Sequence, residues 1–370
     1  MIDIKKILKR SWHVLWNYRV LWIFGFLLAI TGGGGGGGNG GSSYQPNRNT
    51  GSNGSNGFNP NFQSGPFWRE LTDWFNQNIT PLFTNPAQHI ATFIWIGVAV
   101  LLFILLVAVV TSLIRYPAET AVIRMVDEYE QTGVKVGFRQ GWKLGWNRRA
   151  FRLWVIDLVI GVPAFLFIAL LLGLGLVVFL SYVRGNNTMA VAATVAAIGC
   201  AFLFIFAFVI LMVLLGLLRQ FFVRAAALEE TGIGESFRHG WAVFKSNWKS
   251  AALMWLVMLG IGIGYGIVGI ILFFLLIPVF IILLLPAALV AGIPAAIALG
   301  ITSIFASGPL AWIVAALVAL PPFFMVLFAP LALVSGGYLV YTSSVWTLTY
   351  REIKALAVVK PEEIPEKIIA

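Results

Sequence analysis

The clearest candidate for chemistry inside an apolar stretch of this sequence is the carboxylate of Asp157. It lies in the run LWVIDLVIG, five residues after Arg152, which is about 7–8 Å along a helix. An unpaired carboxylate in the middle of a membrane costs about 3 kcal/mol on insertion scales. At this depth Asp157 can reach the interface or pair with a basic side chain. We therefore predict a membrane-embedded polar residue that is either structurally paired or functional.

Other residue types that carry catalysis or bind metals are sparse and scattered. The three histidines (His13, His89 and His239) have no metal-ligand spacing, and the lone Cys200 cannot form a disulfide within the chain. No G-x-x-x-x-G-K-[ST] phosphate loop occurs. We therefore expect no catalytic site, no cofactor site and no metal site, and a protein that is not an enzyme.

Basic and aromatic residues recur together in three short segments. Residues 8–19 (LKRSWHVLWNYR) and 138–149 (FRQGWKLGWNRR) share W-x-x-x-W-N-x-R, and residues 237–248 (FRHGWAVFKSNW) keep part of it. Tryptophan and basic side chains at these spacings are typical of a helix on the inner membrane surface. The candidate lipid-interface residues are Lys9, Trp12, Arg139, Trp142, Arg238 and Trp241. Simple anchoring of the neighbouring spans is the alternative to a specific site for anionic lipids or a partner.

The same segments belong to an internal repeat. T-G-[VI]-x-x-x-F-R-x-G-W occurs at 132–142 and again, without gaps, at 231–241. A small residue, Ser11, Gly141 or Gly240, precedes the first tryptophan of each segment. Because glycine costs about 1 kcal/mol relative to alanine inside a helix, we predict that these positions pack closely against the spans in a pseudo-threefold arrangement.

Composition requires lipid around most of the chain. The 370 residues are 59% hydrophobic and 11% charged, with a mean hydropathy of +0.89, whereas soluble domains carry about 25% charged residues. Residues 250–350 contain no Asp, Glu, Lys or Arg. The net charge of +10 fits the basic cytoplasmic segments of a membrane protein and does not call for a nucleic-acid partner.

The chain is predicted to be one all-α membrane domain, 1–370, with six transmembrane helices in three repeats of a cytoplasmic amphipathic helix and two spans. Eight spans are the alternative. The predicted segments are a first interfacial helix and span (1–31), a Gly/Asn/Ser-rich outer loop expected to be disordered (32–65), an outer interfacial helix (66–79), span 2 (90–114), a cytoplasmic amphipathic segment (115–152), span 3 (153–183), span 4 (188–218), a second cytoplasmic amphipathic segment (219–249), spans 5 and 6 (250–350) and a cytoplasmic tail (351–370).

Orientation follows from the basic residues. Of the 25 Lys and Arg residues, 22 lie in 1–19, 115–152, 219–249 and 351–370. The positive-inside rule places these segments and both termini in the cytoplasm, so residues 250–350 must cross the membrane an even number of times. Because proline interrupts membrane helices, we predict two long spans here with a broken connection near 286–308. Four short spans are the alternative.

Paired spans are preceded by [FL]-[KR]-x-[GS]-W helices, and residues 342–353 read TSSVWTLTYREI. In these two features the chain resembles a loose group of uncharacterised bacterial multi-pass proteins. These are similar to the membrane domain attached to some glycerophosphodiester phosphodiesterases. The resemblance covers most of the chain outside 32–90 and implies a membrane fold. It does not imply hydrolase activity, because no catalytic domain and no His-Arg-Gly signature is present.

The expected function is non-enzymatic handling of lipids or amphiphiles, or membrane scaffolding, in the cytoplasmic (inner) membrane. The expected partners are membrane lipids, anionic ones among them. A transporter of small solutes that uses proline-broken helices at 286–335 is the alternative, and a membrane-embedded enzyme is third. No motif identifies a protein partner or an oligomeric state.

Overall fold

A computed structural model describes residues 2–32, 73, 90–183, 187–229, 232–305 and 309–359. These residues form helices and no strands, which confirms the all-α class. The predicted loop 32–65 and outer helix 66–79 lie outside the described residues, apart from Gly32 and Asp73. The helices are α1 (Ile4–Asn17), α2 (Val20–Ile30), α3 (Ile90–Thr132), α4 (Phe138–Gly145), α5 (Arg148–Val183), α6 (Asn187–Leu228), α7 (Ile233–Ser246), α8 (Trp248–Leu275), α9 (Ile277–Phe305), α10 (Pro309–Leu327) and α11 (Ala329–Val359).

Several helices have the length and apolar character of membrane spans. Within the described part of the chain, α5, α6, α8 and α9 each pass this test alone. Two bent pairs pass it jointly: α1 with α2, at 98°, and α10 with α11, at 64°. The count is therefore four to six candidate spans among the described residues, as expected for a polytopic membrane protein.

In the apolar region 250–350 the structure is helical over most of the stretch that was predicted to be broken. The broken connection near 286–308 is wrong for residues 286–305, because α9 runs through Pro286 and Pro294 as one helix. The described interruptions are single residues, Leu276 and Phe328, and residues 306–308 lie outside the described part. Each of these interruptions lies two residues before a proline, Pro278 or Pro330. Pro286 and Pro294 lie inside α9, because proline is tolerated in membrane helices where nearby groups satisfy the freed carbonyls.

Three helices extend beyond the predicted ends of their spans. The predicted span 90–114 lies within α3, which continues to Thr132. The helix of span 188–218, α6, continues to Leu228, and α11 continues to Val359, into the predicted tail 351–370. In these extensions tertiary packing favours the helix, because residues 116–123 and 217–227 are buried and Ile353 is fully buried.

The chain divides into two compact units. The first, unit 1, comprises Met1–Asn39, Thr111–Ile270 and Ala332–Ala370. Its core consists of apolar clusters that join α1 to α2 and α3, α3 to α5 and α6, and α1 to α6, α8 and α11. Residues 344–350 of α11 are buried on every face, so other elements surround α11 in this core.

The far part of the α5–α6 pair contrasts with this core. No residue from Leu158 to Ser181 or from 194 to 216 is buried. The two helices do contact each other, since the rings of Phe167 and Phe208 stack with centroids 4.0 Å apart. Exposed apolar surface of this extent requires lipid as the solvent.

The second unit, unit 2, comprises Gly40–Val110 and Ile271–Leu331. In its described part α9 packs against α10, and Phe280 and Phe324 both contact Phe328. It has no charged side chain between Ile271 and Leu331.

Candidate functional sites

The small residues of the three amphipathic helices α1, α4 and α7 all point into unit 1. Ser11 is fully buried, and Gly141 and Gly240 are buried as well. A Cβ added at Gly141 would lie 2.5 Å from Met125 Sδ, and one added at Gly240 would lie 2.7 Å from Phe222 Cδ1. The close packing predicted at Gly141 and Gly240 is therefore confirmed, and Ser11 is buried as well; the pseudo-threefold arrangement stays a prediction.

The opposite faces of these helices carry the predicted lipid-interface residues. Lys9, Arg139 and Arg238 are exposed, as are Trp12 (56%) and Trp241 (49%). Trp142 is only half-buried, because its ring stacks on Trp146 and lies 6.2 Å from the ring of Phe24. Five of the six candidates thus project away from the core of unit 1.

The loop that leads into α4 is fixed by a tyrosine at the bend between α1 and α2. Tyr18 is fully buried, and its hydroxyl donates to the carbonyl oxygen of Val136 at 2.8 Å and accepts from the Val136 amide at 2.6 Å. Gly133 adopts a φ of +71° at the end of α3, a conformation that glycine adopts without steric cost. These contacts position α4 beside α2 and α3.

Asp157 lies in an ion cluster formed by three helices. Arg219 on α6 binds it with two hydrogen bonds, from Nε to Oδ1 at 2.5 Å and from Nη2 to Oδ2 at 2.8 Å. The hydroxyl of Tyr116 donates to Oδ2 at 3.2 Å, and Arg115 Nη2 is 3.6 Å from the same oxygen. Asp157 is therefore paired with basic residues, one of the two roles predicted for it.

A second carboxylate, which sequence reasoning missed, completes this cluster. Glu119 on α3 accepts from both terminal nitrogens of Arg219 at 3.2 Å, and the side chains of both residues are about nine-tenths buried. Arg115, Arg219, Glu119 and Asp157 together carry no net charge. The signal in the sequence was the spacing of Arg115 and Glu119, which lie four apart on one helix face.

The arrangement links α3, α5 and α6 through one guanidinium. Charges buried in this way contribute little net stability relative to an apolar core, but losing one partner leaves the others uncompensated. The cluster therefore fixes how the three helices meet. All its described acid–base groups are engaged with one another, so its geometry supports a structural role.

A further polar cluster surrounds Glu229, immediately after α6. Its Oε2 lies 2.8 Å from His239 Nδ1, and its Oε1 accepts from Lys354 at 2.8 Å and from the hydroxyl of Tyr350. Partial burial acts to raise the pKa of Glu229, but the hydrogen bonds from Lys354, Tyr350 and His239 outweigh it and hold the pKa below its usual value. This carboxylate joins α6, α7 and α11.

No group of three His, Cys, Asp or Glu side chains that could hold a metal occurs in the described part of the chain. Cys200 is exposed on α6.

Comparison with known proteins gives a family and no activity. No curated protein and no solved structure matches the chain. Residues 8–349, which include most of α1, all of α4 and α7 and most of α11, match a family whose description is that its function is unknown. The chain belongs to this family of unknown function, DUF7544.

Proposed function

We propose that this protein is a non-enzymatic membrane protein that binds anionic lipids or amphiphiles at the cytoplasmic surface of the inner membrane, either to handle them or as a scaffold. The observation that carries the proposal is the shared arrangement of α1, α4 and α7. Each helix buries a small residue in unit 1 and exposes a basic residue two positions earlier. Basic side chains beside exposed tryptophans suit a headgroup layer.

The topology forms part of the proposal. Six spans arise if α2, the apolar part of α3, α5, α6, α8 and α11 each cross once, in three repeats of an amphipathic helix and two spans with both termini in the cytoplasm. In that arrangement α9 and α10 form a charge-free insertion between α8 and α11. If α9 and α10 cross as well, the total is eight. The even number of crossings follows from the basic segments on either side of residues 250–350.

The alternative, a small-solute transporter, receives less support. A site built on proline-broken helices needs unwound backbone, and α9 is continuous through Pro286 and Pro294. Among the described residues of the stretch predicted for such a site, the one helix interruption is the bend at Phe328, close to Pro330. The similarity to the membrane domain of phosphodiesterases rests on the [FL]-[KR]-x-[GS]-W helices and on the ending TSSVWTLTYREI at 342–353.

Lipid binding by charge-neutralised variants tests the proposal. The full-length protein with Lys9→Gln, Arg139→Gln and Arg238→Gln is purified in mild detergent, and native mass spectrometry measures retained phosphatidylglycerol against phosphatidylcholine. We expect the parent to retain phosphatidylglycerol preferentially and the triple variant to lose most of that preference, since each basic residue near an anionic surface contributes about 1 kcal/mol.

The matched control neutralises three other exposed basic residues, Lys135, Lys245 and Lys249. This variant removes the same charge and should keep the preference of the parent. An equal loss in both variants, or no preference in the parent, would contradict a lipid site at these helices.

A further inference from the structure

A buried arginine lies between the two polar clusters of α6. Arg224 is five residues after Arg219 and five residues before Glu229, and it is only 3% exposed. The Glu119 carboxylate binds Arg219, and the Glu229 carboxylate binds Lys354. No carboxylate within the described residues forms an ion pair with Arg224. Arg224 is therefore a buried cation between clusters whose acids are already bound by other cations.

The guanidinium of Arg224 uses only part of its hydrogen-bonding capacity, which is five N–H donors. Nη1 donates to the backbone carbonyl oxygen of Gln220 at 3.1 Å and to the side-chain oxygen of the same residue. Nη2 lies 3.4 Å from the carbonyl oxygen of Ser343 on α11. Nε is buried and has no hydrogen-bond partner among the described residues. Gln220 thus holds one side of the guanidinium, and the edge formed by Nε and Nη2 makes one long contact.

Arg219, on the same helix, shows what this edge of an arginine binds in unit 1. Its Nε donates to one oxygen of Asp157 and its Nη2 to the other. This paired geometry matches the oxygens of carboxylate and phosphate groups, which is why arginine is common where such groups are recognised. The same edge of Arg224 therefore suits an oxyanion, and no described carboxylate supplies one.

The charges around Arg224 make such a ligand favourable. A buried cation is costly unless an anion and hydrogen bonds compensate for the lost water. The ion cluster of Arg115, Arg219, Glu119 and Asp157 is neutral in itself, so it does not offset the charge of Arg224. An oxyanion at the Nε–Nη2 edge would neutralise this charge and satisfy the buried Nε donor in one step.

We propose that Arg224 is the anchor of a binding site for a phosphate-type oxyanion between α6 and α11, in which Nε and Nη2 hold the ligand. Ser343 is partly exposed, so the site borders the surface of unit 1 on the side of α11. In the proposed topology this part of α6 follows the span 188–218 on the cytoplasmic side. The ligand is therefore the phosphate of a lipid headgroup or a free oxyanion of the cytoplasm. The site does not use the exposed basic residues of α1, α4 and α7.

Melting temperatures of the full-length protein test the site. The protein is purified in a phosphate-free detergent, and sodium phosphate is titrated against sodium chloride of equal ionic strength. A second series adds phosphatidylglycerol to the micelles against diacylglycerol, which lacks the phosphate. A ligand that binds only the folded state raises the melting temperature. A rise with sodium phosphate identifies a free oxyanion as sufficient, and a rise with phosphatidylglycerol alone identifies the lipid headgroup.

Arg224→Met removes the charge and keeps an apolar side chain, so this variant should lose the rise. Phosphate also stabilises proteins in general, but it does so equally in parent and variant, and only the difference between them counts. Without added oxyanion Arg224→Met should melt no lower than the parent, because apolar replacement of a buried charge is often neutral or stabilising. Lys245→Gln, at an exposed position, removes the same charge and should keep the rise.

A second variant decides the question if Arg224→Met does not fold. Arg224→Lys keeps the charge but lacks the paired donors, so it should need about tenfold or more oxyanion for the same rise. The site is overturned if neither series raises the melting temperature of the parent, or if the variant of Arg224 shows the same rise as the parent. The triple variant of the exposed basic residues keeps Arg224 and should keep the rise, so the two proposals can fail separately.

Discussion

Gly25 of α2 and Gly336 of α11 meet backbone to backbone in unit 1. A Cβ on Gly25 would lie 2.4 Å from the Gly336 carbonyl oxygen, and a Cβ on Gly336 would lie 2.6 Å from the Gly25 carbonyl carbon. Small residues are typical of such crossings in membrane proteins, because they let the backbones approach. The nearest atom opposite each position belongs to the backbone, which cannot move aside as a flexible side chain could.

Substitution at this crossing should therefore destabilise the protein. Gly25→Leu and Gly336→Leu should each cost at least about 1–3 kcal/mol by overpacking, measured as a lower melting temperature in detergent. Gly264→Leu on α8 is the control, since a Cβ there meets nothing within 4 Å. A melting temperature for either crossing variant that equals the control would show that the helices separate freely here.

The glycines of the amphipathic helices should differ in tolerance. A Cβ at Gly141 meets the flexible end of Met125, but one at Gly145 would lie 2.1 Å from the Pro117 carbonyl oxygen. Gly145→Ala should thus lower the melting temperature far more than Gly141→Ala does. Gln140→Leu, at an exposed position, should have no effect. Equal effects at Gly141 and Gly145 would contradict the packing described for α4.

Loss of the shared cation should be the most damaging change in the ion cluster. Arg219→Met leaves Glu119 and Asp157 buried without their main partner, and breaking a buried pair costs about 3–5 kcal/mol. Asp157→Asn keeps a hydrogen-bonding group and leaves Arg219 paired with Glu119, so its cost should be smaller. Chemical denaturation in mild detergent measures both. The reverse order would show that Asp157, not Arg219, is the centre of the cluster.

Acid should weaken the contact between α6 and α11 through Glu229. Because the folded-state pKa of Glu229 lies below its usual value of 4.5, its contribution to stability is complete above about pH 4.5 and is lost as pH falls through the lower, folded-state pKa. Glu229→Gln should therefore flatten the fall in melting temperature below pH 4.5. If the melting temperature of this variant falls below pH 4.5 as steeply as that of the parent, other carboxylates account for the fall.

Accessible cysteines test the proposed orientation. With Cys200→Ala as background, single cysteines replace Ser52, Asn187, Gln131 and Glu230. An impermeant thiol reagent on intact cells should label the first two and not the last two. Labelling of Gln131→Cys would place the C-terminal end of α3 outside and reject the topology.

Asp157 shows both what sequence could predict and what it could not. Its need for a partner followed from its apolar surroundings, and the structure confirms pairing. Arg219 could not be identified as the partner, since it lies 62 residues away on another helix, and charge runs alone had assigned it to a cytoplasmic segment. The local sequence indicates that a charge is buried at a cost in free energy. Which side chain pairs with that charge is determined by tertiary packing.

The sequence did not indicate that α11 is buried, because several of its residues are polar. Ser344, Thr347 and Thr349 are fully buried, although these types usually face solvent. Each hydroxyl donates to the carbonyl oxygen four residues earlier in its own helix, so burial leaves no donor unsatisfied. The small-residue contacts of α4 and α7 could be predicted because glycine weakens a helix and is typical of positions where another element approaches closely.

The apolar surface of the α5–α6 pair is exposed to lipid, so the thickness of the bilayer affects how this pair is oriented. From Leu158 to Val183, α5 extends about 39 Å at 1.5 Å per residue, longer than a hydrocarbon core of about 30 Å. A stretch longer than the hydrocarbon core is accommodated by tilting, by kinking or by local thickening of the bilayer, and this part of α5 has no buried residue from Leu158 to Ser181. Asp157 and Arg219 lie where the pair joins the core of unit 1. A change in membrane thickness that changes the tilt of the pair therefore acts on this ion pair.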